Sequence, residues 1–537
     1  MPLGIVKTQY GYVKGKEITQ GKYAGVSWYK SIPYAAPPVG DLRWRPPQDA
    51  VCWEGVRDCA EFPCRPMQVG GKEVWPHEPW TGDFHFEPYP DMSEDCLYLS
   101  VATDARDAGE RRPVFVWFHG GGLSRGYYFE VEFDPCELAK KGIVVVSVGS
   151  RLNIFGYFSL PQLSAEQGGL SGNYGLMDTV KALKWVHDNI AAFGGDPGCI
   201  TVGGQSGGTS KSGALVCSPA SKRYIRRMIN QSSLNWLIRH PTVAEYERQC
   251  VEFLRNIGID PDTPAGELRK IPAGRFFEGV MERRVRMPTT MVCDGYYVPE
   301  TDQRVSMDRY GGAIDVLSGC NYGEATMRPG MFLGGAPYCS AEEVDGRARE
   351  MLGELYDKYG FAGIAGITEE NFDHRSRYLA AMGMSFRGGI MTSRIFGRYR
   401  AEKFPGARTW TYLFAQVPPS RAEEAGTARD QEKLLSWHSA ELWYTFASLR
   451  DGVPPARPWR SEDFATAGLI SDYWANFIKT GDPNGKGLPV WPICGKGMDW
   501  MELSSKPKAH IGIENRLDEM IHAYVEREWE TMMWEME

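Results

Sequence analysis

The sequence predicts an α/β protein built on a large, mostly parallel twisted sheet with helices on both faces, and three observations predict it. Two continuous apolar runs, Val114-Phe115-Val116-Trp117-Phe118 and Ile143-Val144-Val145-Val146, suit strands buried on both faces and lack the alternation of a half-exposed sheet. Between Tyr174 and Ala192, the residues Leu176, Val180, Leu183, Val186 and Ile190 recur at helical spacing. Gly194-Gly195-Asp196-Pro197 then stops the helix before a short strand at Ile200-Thr201-Val202. Strand, helix and strand in alternation is the order of a parallel sheet.

The remaining elements follow in chain order. The first forty residues read as hairpins and end in the turn-rich segment Tyr34-Ala35-Ala36-Pro37-Pro38-Val39-Gly40. From about Pro241 to Met287 the pattern is helical, with Tyr246, Cys250, Phe253 and Leu254 on one face, and a strand-like run follows at Ala313-Ile314-Asp315-Val316-Leu317. The stretch at about 235–310 is therefore expected to be a helical insertion over the carboxyl edge of the sheet, where α/β sites lie. No repeat, low-complexity run or Gly/Ser linker divides the chain, so residues 1–537 are expected to form one domain.

Composition removes several classes. A hydrophobic share of 42% with 24% charged residues excludes disorder, collagen and a bundle of membrane helices. Sixty Lys and Arg against 68 Asp and Glu leave a net charge of -8 with no basic block, which argues against nucleic acid and anionic membranes as partners. The start, Met1-Pro2-Leu3-Gly4-Ile5-Val6-Lys7-Thr8, lacks the features of a signal peptide and predicts a cytoplasmic protein. The twelve cysteines form no Cys-x-x-Cys pair and the nine histidines no His-Glu-x-x-His, so neither a metal site nor a cofactor is expected. Nothing in the sequence sets an oligomeric state.

Gly204-Gln205-Ser206-Gly207-Gly208 matches G-x-S-x-G, the sharp strand-to-helix turn in which small residues let a serine Oγ stand exposed. The pattern alone is weak, and it occurs a second time at Gly122-Leu123-Ser124-Arg125-Gly126. Ser206 has the required context: a strand leads into it, and Thr209 to Val216 can continue as a helix whose first amides point back at the site. Ser124 is followed by Tyr127-Tyr128-Phe129 with no clear helix, and it trails His119-Gly120-Gly121-Gly122, itself the pattern of an oxyanion loop. Glycines there let backbone N–H groups approach a developing oxyanion, each donor being worth about 3 kcal/mol. Either motif alone reads equally as a Gly-rich turn after a strand; the two together, in this order, point to a serine hydrolase.

At this point the chain resembles the type B carboxylesterases, the family that includes bacterial p-nitrobenzyl esterases and cholinesterases. Besides the two glycine motifs, the matching segments are Ile32-Pro33-Tyr34-Ala35, Pro37-Pro38-Val39-Gly40, Leu42-Arg43-Trp44, Ser93-Glu94-Asp95-Cys96-Leu97-Tyr98-Leu99, Gly172-Asn173-Tyr174-Gly175-Leu176-Met177-Asp178, Phe193-Gly194-Gly195-Asp196-Pro197 and Lys479-Thr480-Gly481-Asp482-Pro483-Asn484-Gly485. They cover nearly the whole chain and imply the α/β-hydrolase fold and hydrolysis of carboxylic esters. The resemblance also implies the partners of Ser206, which spacing does not select. Gly319-Cys320-Asn321-Tyr322-Gly323-Glu324 is similar to the segment that ends in the acidic member, making Glu324 the orienting carboxylate; Trp437-His438-Ser439-Ala440-Glu441-Leu442 is similar to the histidine loop, making His438 the base.

In the mechanism so implied, Ser206 is acylated, and the N–H groups of Gly121, Gly122 and Gly207 hold the oxyanion. His119 is expected to order the oxyanion loop, and His187 to lie on a solvated helix face. Arg43 with Glu94 and Arg151 with Asp178 are expected, by the same resemblance, to be structural ion pairs. The chain departs from the family in carrying Gln205 where glutamate is common, which removes a negative charge beside the site and argues against a cationic alcohol. It also carries Gly149-Ser150-Arg151 in place of Asn-Tyr-Arg. The resemblance implies a disulfide between Cys64 and Cys96, which a reducing compartment opposes. Trp75, Trp80, Phe84, Phe86 and Tyr89 in that segment read either as packing of a long loop or as an aromatic lining that favours bulky or aromatic esters. The partner expected is a small-molecule ester. The same residues also serve amides, carbamates, lactones and thioesters, and a non-catalytic binding protein is the reading from another class.

Overall fold

The computed structural model describes residues 3–69, 84, 89–232, 237–327, 338, 340–384, 389–452, 456–529 and 534–535. Its frame is an eleven-stranded sheet. In chain order the strands are β1 (Lys16–Glu17), β2 (Ser27–Pro33), β3 (Tyr98–Thr103), β4 (Arg112–Phe118), β5 (Val144–Val148), β6 (Gly195–Gln205), β7 (Arg227–Gln231), β8 (Asp315–Asn321), β9 (Thr409–Phe414), β10 (Trp500–Leu503) and β11 (Lys508–His510). Across the sheet they run β11-β10-β9-β8-β7-β6-β4-β5-β3-β2-β1. The seven strands from β10 to β5 are mutually parallel. Antiparallel strands close both edges.

The two apolar runs are β4 and β5, buried throughout their cores as the sequence predicts. Alternation along β4 explains the two layers: Val114, Val116 and Phe118 enter one core with Leu176, Leu183 and Val186 of helix α1 (Tyr174–Asn189) and with Ile190 just past its end, while Phe115 and Trp117 enter another. That second core holds Ile470, Trp474 and Phe477 of the helix Ser461–Thr480. Helix α1 ends through a single 3-10 turn, Ile190–Phe193, with Gly194 at φ 79. A Cβ at Gly194 would lie 2.4 Å from that of Ala105, so both the left-handed backbone and the space call for glycine. The strand expected at 200–202 extends over Gly195–Gln205, because β4 and β7 pair with it on both sides; its register shifts between Gly195 and Ile200.

At the N-terminus, Ile5–Thr8 and Gly11–Lys14 form the expected hairpin. After β6 comes α2 (Gly207–Val216), all ten residues of which are buried. The segment expected to be helical contains α3 (Val243–Asn256), α4 (Ala265–Lys270) and α5 (Ala273–Arg283). Thr242 and Glu245 start α3 with a reciprocal capping box. Tyr246, Cys250, Phe253 and Leu254 form its buried face, packed with Trp44, Phe155, Phe158 and Phe276.

Among the described residues no helix is long and apolar enough to cross a membrane. None of their His, Cys, Asp and Glu side chains form a group of three placed to hold a metal ion. Cys64 and Cys96 are both free thiols, the second buried, so the disulfide that the resemblance implies is not formed.

Candidate active site

The parallel strands deliver their loops to one edge. Phe118 is paired with Gly204, Gln205 with Gln231, Gln231 with Gly319, and Asn321 with Phe414, so β4, β6, β7, β8 and β9 end almost level. Gly121 and Gly122 follow β4, Ser206 and Gly207 follow β6, and Glu324 follows β8, whereas His438 lies well beyond the end of β9 on a segment that returns to this edge, where Trp437 bridges to Gly323.

Ser206 follows β6 at φ 54, ψ -120, a strained backbone for a residue with a side chain. Three hydrogen bonds hold it there: its N–H donates to Gln231 O at 2.9 Å, and its carbonyl accepts from Thr209 N at 2.9 Å and Thr209 Oγ1 at 2.5 Å. The glycine loop presses against the turn, for a Cβ at Gly207 would lie 1.7 Å from Gly122 O. Among the described residues, no protein acceptor takes the N–H of Gly121, Gly122 or Gly207. His119 is buried beneath the loop with Nδ1 2.9 Å from Gly120 O. Ser124 lies within a turn instead, its Oγ donating to Gly121 O at 3.3 Å, with no helix behind it.

Glu324 and His438 meet directly, Oε2 to Nδ1 at 2.5 Å. The loops that carry them are fastened together: Gly323 N donates to Ser436 O at 2.9 Å, and Asn321 Nδ2 to Trp437 O at 2.8 Å. Burial alone would raise the Glu324 carboxyl, but His438, Ser232 and the Asn321 N–H outweigh it and hold the group below the usual carboxylate range. Nε2 of His438 points toward the elbow and lies 3.4 Å from Gln205 Nε2. No hydrogen bond joins it to Ser206 Oγ among the described residues; the residue before the serine, Gln205, is what meets the imidazole.

Behind this pair sits a carboxyl to which the sequence assigned no role. Glu441 is fully buried, with Oε2 accepting from Asn321 Nδ2 at 2.5 Å and Oε1 from Ser232 Oγ at 3.2 Å and Gln231 Nε2 at 3.4 Å. Burial, then the nearby Glu324, push it up to about 7. Its spacing of three from His438 is visible in the sequence, but nothing there tells that Asn321, Ser232 and Gln231 converge on it.

The other expectations fall into place around the site. Arg151 is bonded to both oxygens of Asp178, at 2.9 and 2.6 Å, with neither side chain more than 3% exposed. Arg43 is paired with Glu94 and also donates to Ile271 O. His187 is on an exposed face beside Asp188. Trp75, Trp80 and Phe86 lie outside the described residues. Phe84 is fully buried against Trp437 and Trp443, with ring centroids 5.6 and 5.8 Å away, so it packs beneath the histidine loop. Tyr89 lies under the Arg65 guanidinium.

The chain is similar to known esterases along nearly its whole length. The carboxylesterase family model matches residues 3–523. The fumonisin B1 esterase of Sphingopyxis macrogoltabida is 32% identical over 518 residues, covering 95% of this chain and 88% of that one. Carboxylesterase 1D of Rattus norvegicus is 28% identical, covering 94% and 90%. Among solved structures, a PNB esterase superposes with TM-score 0.72 at 26% identity, and the Geobacillus stearothermophilus carboxylesterase EST55 with TM-score 0.74 at 26%; each match covers 96% of this chain and 99% of the other.

Proposed function

The chain belongs to the carboxylesterase family, with the α/β-hydrolase fold and the activity of a carboxylic ester hydrolase, and from that premise we propose that it works through an acyl-enzyme on Ser206. As Ser206 Oγ attacks the ester carbonyl, His438 Nε2 takes its proton, while Glu324 keeps the other imidazole proton on Nδ1 and stabilises the cation. The carbonyl oxygen, now negative, is received by the N–H groups of Gly121, Gly122 and Gly207. Collapse expels the alcohol, which leaves with the proton from His438. Water, deprotonated by His438, then attacks the acyl carbonyl and restores Ser206 with release of the acid.

The observation that carries the reading is the 2.5 Å contact between Glu324 and His438 beside a serine held at positive φ. A strained backbone at the serine and an imidazole held in one orientation by a carboxylate are costly, and they are useful together to a nucleophile. Gln205 in place of a carboxylate supports substrates whose alcohol carries no cationic group. The relative named fumonisin B1 esterase supports esters of large molecules within the range.

Hydrolysis of p-nitrophenyl esters from acetate to laurate, with a benzoate, by the wild type and by Ser206→Ala tests the reading, together with labelling by a fluorophosphonate. Turnover and labelling that both vanish in the variant are expected. A Ser206→Ala protein that keeps its activity overturns the assignment, and folded wild type that neither labels nor turns over returns the chain to the binding-protein reading.

A further inference from the structure

Lys211 is a buried amine to which the scheme above gives no role. It lies within α2, five residues past Ser206, with no exposed surface, and its Nζ has no hydrogen-bond partner among the described residues. An unpartnered amine in the interior opposes folding, and an apolar side chain would occupy the space without that penalty.

Its surroundings place it behind the oxyanion loop. Gly208, three residues earlier and on the same face of α2, meets the end of β4: a Cβ there would lie 2.0 Å from Phe118 O and 2.9 Å from His119 O. Helical side chains lean toward the helix N-terminus, so the amine is carried from position 211 back toward that contact. The charges acting on it are Glu130, in the segment that follows the glycine loop, and Asp178 of α1. Asp178 is paired with Arg151. Beyond Glu130, Glu132 is fully buried, and burial followed by Glu130 pushes its carboxyl well above the usual range. In the loop itself, His119 has Nδ1 on Gly120 O, and Arg125, whose side chain starts against Gly121, carries a guanidinium whose charge is fixed and so adds nothing that varies with pH near neutrality.

We propose that Lys211 is an electrostatic element of the active site: when protonated, it sets a positive charge behind Gly121 and Gly122 and favours the oxyanion formed there. The inference rests on the assignment of Ser206 and the glycine loop made above. Lys211 touches no reacting atom and acts through its field. Burial, opposed by Glu130 and Asp178, brings the amine down to about 7, so the charge is gained and lost across the neutral range.

The test is the pH dependence of kcat/KM on p-nitrophenyl butyrate for the wild type and Lys211→Met. The wild type is expected to be on the order of tenfold faster at pH 6, the scale on which a nearby unit charge acts on a developing charge in a partly screened site. The ratio should fall to about one at pH 9, where the wild-type amine is neutral. A ratio that stays constant with pH overturns the proposal. Thermal unfolding gives a second readout. Between about pH 7 and 10 the unfolded chain binds a proton at Lys211 that the native chain does not, so the wild type gains stability over this range relative to Lys211→Met. A relative Tm that does not move over that range also overturns the proposal. Lys211→Gln, a smaller neutral side chain, should give the same pH-dependent ratio if methionine disturbs the packing. If Ser206→Ala remains active, the nucleophile assignment falls; if Ser206→Ala is dead while the ratio is flat, only the Lys211 inference falls.

Discussion

The side-chain amide of Gln205 stands 3.4 Å from Nε2 of His438, on the lone pair that must receive the proton of Ser206. With Nδ1 committed to Glu324, that amide is the imidazole's second polar neighbour, and it competes with the serine hydroxyl. Gln205 is buried with its side chain packed against Gly120, where a Cβ would lie 2.8 Å from its Oε1, so the competition is built into the strand that carries the nucleophile. In the proposed mechanism the imidazole must turn from the amide to Ser206 as substrate enters.

Glutamate at 205 would replace this neutral donor with a negative charge at the same distance. The charged form of His438 would be favoured, and the acid limb of the kcat/KM profile should move up by about one pH unit. Profiles of the wild type and Gln205→Glu between pH 5 and 9 check this. Superimposable acid limbs would show that the side chain does not face the imidazole in the working enzyme.

Replacing Glu324 by glutamine keeps the size of the side chain but lets its amide donate toward Nδ1, which favours the wrong tautomer. By the logic of an orienting carboxylate, kcat should fall on the order of 10³- to 10⁴-fold with folding intact. The carboxyl also has a stability signature. Its native pKa is lowered, so its contribution is present above the unfolded value and lost as pH falls through the native one. Acid unfolding of Glu324→Gln below about pH 4.3 should therefore be shallower than that of the wild type. Loss of kcat by less than tenfold would remove Glu324 from the proposed triad.

How much of this was legible in the sequence depended on whether one element or several carried the signal. The apolar runs of β4 and β5, and the buried face of α3, are written in local periodicity, and they lie where that periodicity puts them. The extent of β6 is not local: Gly195–Pro197 reads as a stop, yet backbone pairing with β4 draws Gly195 into the strand. For the site, Ser206 and the glycine loop are contiguous motifs, whereas Glu324 and His438 are separated by 114 positions and were reached only through family resemblance. Glu441 and Lys211 went unassigned because burial is what distinguishes them. A glutamate three residues after a histidine and a lysine in a helix are ordinary solvated residues until tertiary packing removes the water.

Asp178→Ala tests the buried ion pair between Asp178 and Arg151. Arg151 would be left in the interior, 3% exposed, without its counter-ion. Breaking one side of such a pair costs about 3–5 kcal/mol, more than a surface pair by several fold. Chemical denaturation should show that loss, while fluorophosphonate labelling at pH 9, where the Lys211 amine is neutral with or without Asp178, proceeds in the fraction that remains folded at a rate close to that of the wild type. A destabilisation below about 1 kcal/mol would mean that solvent reaches Arg151.

Glu441→Gln separates the buried carboxyl from the one that touches the imidazole. With a native pKa of about 7 against an unfolded value near 4.3, Glu441 holds a proton in the native state that the unfolded chain gives up. Stability from this group is thus fully present below the unfolded value and is lost as pH rises through about 7, a span worth on the order of 4 kcal/mol. Glutamine cannot ionise, so the variant should gain Tm relative to the wild type between pH 5.5 and 8.5. Catalysis should respond in the same window. Asn321, Ser232 and Gln231 are neutral donors, so ionised Glu441 adds a second negative charge behind Glu324 and favours the imidazolium. The kcat of Glu441→Gln should accordingly match the wild type at pH 5.5 and fall several-fold below it at pH 8.5. An equal Tm difference at the two pH values would show that Glu441 keeps one protonation state throughout, and the pH-dependent part of its influence on His438 would then have to come from elsewhere.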